Sequence, residues 1–205
     1  MKSKRSEFFD EAVVSGPGQK EFEERVYAEA QAKRWPRVAE GQGKFEGQVA
    51  VVTGAAGGQG EMEAKMIAQQ GAKVYMVDIE EEGLKRVESA IGADGGEAVA
   101  VLMDVADEGM WQKLVEKVLN ESGRLDVLVN NAGMCQNGTV LTETRESLNR
   151  IMDVDCWGVY NGMHYCAPAI IESGGGAIVN TCSYQGTHFG PGSFIGYAMA
   201  KAAVM

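Results

Sequence analysis

From Lys44 onward, short and almost unbroken apolar runs alternate with longer stretches in which apolar residues recur every three or four positions. The runs QVAVVT (48–53), KVYMVD (73–78), AVAVLMD (98–104), LDVLVN (125–130) and GAIVNT (176–181) are rich in valine and have the length of strands. Continuous apolar runs of this kind suit parallel strands buried on both faces. The stretches between them predict helices over 60–70, 80–91, 107–121 and 143–172. Pro168 falls inside the last and is expected to kink or shorten it. Strand and helix alternating at this rhythm predict an α/β fold: a doubly wound parallel sheet in three α/β/α layers, with right-handed crossovers.

Residues 1–43 read differently. KEFEERVYAEAQAKRW mixes both charges among good helix formers, and Phe22, Val26 and Ala30 fall on one helical stripe. Pro17 precedes this stretch, Pro36 ends it, and Gly41 and Gly43 mark a linker. The expectation is an N-terminal extension holding one amphipathic helix, followed by a single domain over 44–205. Composition narrows the function classes. A net charge of −10 opposes a nucleic-acid partner. The basic start lacks the apolar stretch of a signal peptide, and no apolar run reaches transmembrane length. Cys135, Cys156, Cys166 and Cys182 form no CxxC pair, as expected of free thiols in a reducing cytoplasm.

The first strand runs straight into TGAAGGQG, Thr53 to Gly60, and then into a helix. Such a turn lets backbone N–H groups approach a pyrophosphate at the positive end of a helix. Gly54, Gly58 and Gly60 are candidates for the tight turn, the close approach and the helix–strand packing, with Gln59 beside them. Glu61 follows Gly60, so the GK[ST] ending of a phosphate-binding loop is absent. Asp78 ends the second strand, eighteen residues past Gly60. A carboxylate there accepts ribose hydroxyls and repels a 2′-phosphate, by about 4 kcal/mol at 4 Å and an effective dielectric of 20. No arginine lies beside Asp78 in sequence, so NAD is expected over NADP. Asp78 is also a lesser candidate to cap the next helix, and both roles could hold together. Asp104 and Val105 end the third strand in MDVAD, where an adenine contact is expected, and Asp107 is a candidate helix cap. The fourth strand runs into NNAG, whose amides can tie strand ends together and whose Gly133 gives a cofactor room.

Ser183 follows the fifth strand, and YAMAK, Tyr197 to Lys201, comes fourteen residues later. Tyrosine and lysine four apart share a helical face. An ammonium there favours the phenolate, which makes Tyr197 a candidate acid/base at neutral pH. The series TGAAGGQG, Asp78, NNAG, Ser183 and YAMAK resembles the short-chain dehydrogenase/reductase family over about 44–205. The resemblance implies a Rossmann-type fold, a nicotinamide cofactor, and hydride exchange between an alcohol and a ketone. It implies Tyr197 as acid/base, Lys201 as its partner and a holder of the nicotinamide ribose, and Ser183 as hydrogen-bonding the substrate oxygen. Asn131, Ala132 and Gly133 would line the cofactor. A homodimer or homotetramer is also implied.

Two departures from the family stand out. Where the family places an asparagine that organises a water relay to the lysine, this chain has Asp155, in MDVDCWG. Asp155 is expected to pair with Lys201 or weaken the relay, reducing or pH-shifting turnover. The family pattern also continues some fifty or more residues past the lysine, whereas Met205 follows Lys201 by four. The expectation is the front of a longer protein, its catalytic helix cut after about one turn, with poor folding and little activity. A non-catalytic nucleotide-binding protein is the competing reading. His164, Cys156 and Cys166 lie on one helix and are not expected to bind metal. His188 is expected in a solvated loop, where Phe189, Phe194 and Ile195 are candidates for an apolar substrate wall.

Overall fold

The computed structural model describes residues 43–188 and 194–205. The expected helix carrying Phe22, Val26 and Ala30 lies outside the described residues, as does Phe189. Five parallel strands form one sheet in the order β3-β2-β1-β4-β5. They are β1 (Val49–Thr53), β2 (Lys73–Asp78), β3 (Glu97–Leu102), β4 (Val127–Asn130) and β5 (Ala177–Asn180). The helices are α1 (Gly58–Gln69), α2 (Glu81–Ala93), α3 (Glu108–Ser122), α4 (Arg145–Met152), α5 (Gly158–Glu172) and α6 (Ile195–Val204). The chain winds outward from β1 to β3, then returns to lay β4 on the other side of β1. Val51 pairs with Tyr75 on one side and Leu128 on the other. The order therefore reverses between β1 and β4, the place where open α/β sheets leave a crevice for a ligand.

Alternation along the strands divides the core into two layers. Val51, Tyr75, Val77 and Leu128 face α3 and α5, against Trp111, Leu114, Val118, Cys166 and Ile170. Ala50, Val52, Val74, Met76 and Val129 face α1 and α2, against Ala64, Ala68, Leu84, Val87 and Ile91. Strand ends differ from expectation by at most two residues, and β2 matches at both ends. Leu125 and Asp126 precede β4, because the Asp126 carboxylate turns back to accept the Val49 N–H at 2.8 Å and to pair with Arg124. Met103 and Asp104 lie beyond the last β2–β3 partners, Asp78 and Leu102.

The long helix expected over 143–172 is one continuous helical run, α4 then α5, joined by a π-helical turn over Asp153–Trp157. Pro168 does not end it: α5 runs on to Glu172. The π turn is the larger irregularity, and nothing in the hydrophobic pattern announced it. Asp107 caps α3, its carboxylate accepting the Gly109 N–H at 2.9 Å. At the sheet's edge β5 is half covered, and Val179 is 52 % exposed. Among the described residues no helix is long and apolar enough to cross a membrane.

Candidate active site

The site begins with Thr53, the last residue of β1. Its Oγ1 accepts the N–H groups of Asn131 and Ala132, each at 3.0 Å. Asn131 answers by donating Nδ2 to the Thr53 carbonyl at 3.1 Å. These bonds staple the glycine turn to the NNAG loop across the crevice. One strand further, Asn130 Nδ2 donates to Asn180 Oδ1 at 2.9 Å, tying β4 to β5. The amides of NNAG thus hold strand ends together, as their type suggested. Thr53 is the hub that the sequence reading passed over. Its signal was the hydroxyl at the point where β1 opens.

The glycines of the turn serve different ends. Gly54 has φ +69°, and a Cβ on it would lie 2.8 Å from the Ala132 Cα. On Gly60 a Cβ would lie 2.2 Å from the Gly54 carbonyl oxygen, so this glycine lets α1 pack on the turn. Gly58, at φ +56°, has nothing within 4 Å of where its Cβ would be. Gln59 is exposed and donates to Glu63 at 2.9 Å. Helices α2, α3 and α4 begin on capping side chains, Glu80, Asp107 and Thr144, whereas α1 begins on Gly57 with none. An uncapped helix start behind an open glycine is a cradle that fits a pyrophosphate.

Asp78 closes the outer side of this turn. Its Oδ2 accepts the Ala56 N–H at 3.0 Å, and its Oδ1 accepts Ile79 and Glu80 N–H groups at 2.7 and 3.1 Å. It does not cap α2. Glu80 does, accepting the N–H groups of Glu82 and Gly83. The absence of a neighbouring arginine holds only in sequence: α2 carries Arg86 back to the turn, where Nη2 donates to the Ala56 carbonyl at 2.9 Å. Asp104 accepts the Ala106 N–H at 2.9 Å and pairs with Arg150 at 2.8 Å. Val105 is a core residue. Its side chain is buried and its carbonyl accepts the Trp111 indole N–H at 2.8 Å, so only its main chain remains to meet a ligand.

At the other side of the crevice, Lys201 is 3 % exposed and Asp155 fully buried. The Lys201 Nζ donates to the Thr181 carbonyl at 3.0 Å, faces Asp155 Oδ2 at 3.4 Å, and lies 5.7 Å from the centre of the Tyr197 ring. Asp155 Oδ1 accepts the Met134 N–H at 2.7 Å, while Oδ2 has no hydrogen-bond partner. Burial pushes the Asp155 carboxyl above the usual carboxylate range, against the opposing pull of the Met134 N–H and Lys201. Burial, and then the charge of Asp155, also push the Cys135 and Cys156 thiols up. Gly133 is what admits this pair: a Cβ there would lie 3.0 Å from Asp155 Oδ2 and 3.4 Å from Lys201 Nζ.

The helix that carries Tyr197 and Lys201 is longer than expected. α6 has ten residues and buries Gly196, Ala198, Ala200 and Lys201. A Cβ on Gly196 would lie 2.8 Å from Ile151 Cδ1, so α6 rests directly on α4. Tertiary packing stabilises a helix that would be marginal alone. Ser183 begins a 3₁₀ turn over Tyr184–Gly186, its Oγ accepting the Gln185 N–H at 3.2 Å. That turn touches α6, since a Cβ on Gly186 would lie 2.9 Å from the Lys201 carbonyl carbon. His188 is exposed and stacks on Tyr184, with ring centres 4.6 Å apart. Phe194 and Ile195 are half-buried at the start of α6. His164 stacks on Tyr160, Cys166 is fully buried with its thiol pushed up to about 12, and no metal-binding group occurs among the described residues.

A family model described as short chain dehydrogenase matches residues 48–205. The 3-oxoacyl-[acyl-carrier-protein] reductase of Thermotoga maritima is 34% identical over 79% of this chain and 65% of its own length. The cyclohexanol dehydrogenase of Acinetobacter sp. is 38% identical over 78% of this chain and 64% of its own. The chain thus spans less than two-thirds of either relative. A short-chain dehydrogenase/reductase from Burkholderia phymatum, solved with NAD, superposes with a TM-score of 0.75 at 32% identity, covering 78% of this chain and 57% of that one. A metagenomic short-chain oxidoreductase solved with NADP superposes at 0.74 with 34% identity, covering 78% and 72%.

Proposed function

Since the chain belongs to the short-chain dehydrogenase family, we propose that its site serves hydride exchange between NAD(H) and a secondary alcohol or its ketone. The observation that carries this is the buried Lys201 ammonium lying beside the Tyr197 ring at the crevice between β1 and β4. A buried ammonium beside a phenol at a strand-end crevice supports a functional reading. The bound nicotinamide supplies the hydride acceptor or donor. Gly54, Gly58 and Gly60, with Gln59 at the start of α1, hold the pyrophosphate. Asp78 holds the adenosine ribose, Asp104 and the Val105 main chain bound the adenine, and Asn131, Ala132 and Gly133 line the nicotinamide side.

Tyr197 takes the proton of the alcohol, or gives one to the ketone, at its phenol oxygen. Lys201 stabilises the phenolate form by charge and would hold the nicotinamide ribose. Ser183 donates to or accepts from the substrate oxygen and so orients the carbon that exchanges hydride. Asp155 replaces a neutral relay with a charged partner that holds Lys201 in place. Homodimeric or homotetrameric assembly belongs to the same proposal. The Asp155–Lys201 pair also favours a second reading, nucleotide binding without turnover, because a lysine tied by a carboxylate is less available to the phenol.

Titration with NADH, followed by alcohol oxidation read at the NADH absorbance band, separates the two. Binding with turnover that Tyr197→Phe abolishes supports the enzyme. Binding with no turnover of any alcohol or ketone across pH 6–10 supports the second reading.

A further inference from the structure

One residue of the glycine turn is gripped from both ends by opposite charges. Ala56 gives its N–H to Asp78 and its carbonyl to Arg86. Helix α2 lies so close that a Cβ on Gly83 would be 2.7 Å from the same carbonyl oxygen. The two charges are treated differently. Asp78 accepts three backbone N–H groups, all neutral. Arg86 is held in a two-pronged pair by Glu61 of α1, with Nη1–Oε1 at 2.9 Å and Nη2–Oε2 at 2.6 Å. The Glu61 side chain is 7% exposed and also accepts Lys65 at 2.5 Å. Forked, charge-assisted pairs of this kind are the strong ones, and they fix an arginine's direction. Arg86 beside it holds the Glu61 carboxyl down at about 2.

The inference rests on the cofactor reading above. We propose that Glu61 is a specificity-determining residue: by fastening Arg86 against the Ala56 carbonyl of the turn, it withholds the guanidinium that a 2′-phosphate would need, and so reinforces Asp78 in favouring NAD over NADP. A 2′-phosphate entering beside Asp78 meets a negative charge. Arg86 is the cation that the fold brings to this turn, and its planar fork suits phosphate as well as carboxylate. To serve a phosphate it must leave Glu61, which then stays buried with Lys65 as its remaining cationic partner. Leaving the buried Glu61 carboxylate without its forked partner is unfavourable, even though Arg86 itself is half exposed. Selectivity arises from what the site refuses to release as much as from what it offers.

The test is a titration of the protein with NADH and with NADPH, read by nicotinamide fluorescence, for the wild type, Glu61→Gln, Arg86→Met and the double variant. Glu61→Gln should raise the ratio of NADPH to NADH affinity about tenfold, and adding Arg86→Met should erase the gain. Arg86→Met alone should leave the ratio near its wild-type value. If Glu61→Gln does not fold, Arg86→Lys carries the same test. A point-like ammonium lacks the planar fork that joins Ala56 to both Glu61 oxygens, and the ratio should rise about threefold. A ratio unmoved by Glu61→Gln or by Arg86→Lys, with both affinities falling together, overturns the inference and leaves the cofactor reading intact. A folded wild type that binds neither nucleotide overturns both.

Discussion

The two ends of the crevice solve the same problem in opposite ways. At the glycine-turn end, Thr53 and Asp78 are met by neutral backbone partners. Thr53 Oγ1 takes two N–H groups and Asp78 takes three. At the Tyr197 end, two formal charges are buried together and one carboxylate oxygen lacks a hydrogen bond. The first end is a scaffold of neutral bonds around the uncapped start of α1. The second holds unspent electrostatic strength, which is where chemistry is expected to reside. Neutral pairing fixes geometry, while a compensated pair of charges fixes geometry and also responds to protons.

Breaking the charged end should have the larger consequences. Tyr197→Phe should lower turnover about a thousandfold, the size of a lost general acid/base, while NADH binding persists. Parallel loss of binding would mean that the ring is structural. Lys201→Met leaves Asp155 buried without its cation, which should cost on the order of 3 kcal/mol of stability in a denaturant melt at pH 8.

At the scaffold end, two glycines make an internal control. Gly60→Ala forces a methyl to 2.2 Å from a carbonyl oxygen and should cost about 3 kcal/mol. Gly58→Ala meets open space and carries only the strain of its positive φ, about 1 kcal/mol. Equal losses in urea melts would contradict the packing role given to Gly60.

The two carboxylates at opposite ends should also answer pH with opposite signs. Asp155 is pushed up on folding, so the folded state favours its protonated form. The burden of its charge is absent below the ordinary carboxylate range and appears as pH rises through its raised value. Because that direction already includes the pull of Lys201, Asp155→Asn should raise the melting temperature by a few degrees at pH 8 and by less at pH 4. It should also shift the pH–rate profile; an unshifted profile would remove Asp155 from the proton chemistry. Glu61 is pushed down from 4.5 to about 2, so its contribution is full above 4.5 and is lost as pH falls toward 2. Allowing for the half-exposed Arg86, that contribution is about 2 kcal/mol. The melting difference between wild type and Glu61→Gln should therefore vanish near pH 2.

Much of this was legible along the chain. Valine-rich runs placed five strands; β1, β2 and β4 are buried as that pattern implies, whereas the edge strands β3 and β5 are partly exposed. TGAAGGQG, NNAG and YAMAK were readable because each acts over a few neighbouring residues. What escaped involved residues far apart in sequence. The π turn around Asp155, the arrival of Arg86 beside Ala56, and the capping of α2 by Glu80 instead of Asp78 leave no periodic mark. Val105 looked like a ligand contact from its place at a strand end, yet its side chain packs under Trp111.

The sequence by itself determined the layer architecture, the crevice and the residue types offered to it, since these follow from short-range pattern and burial. Only the tertiary structure decided which charges meet. The sequence separates Glu61 from Arg86 by twenty-five residues and Asp155 from Lys201 by forty-six, and the fold sets each pair within 3.4 Å. At that distance, partner and orientation decide whether a charge is quenched or available, and neither is written in any local run of residues.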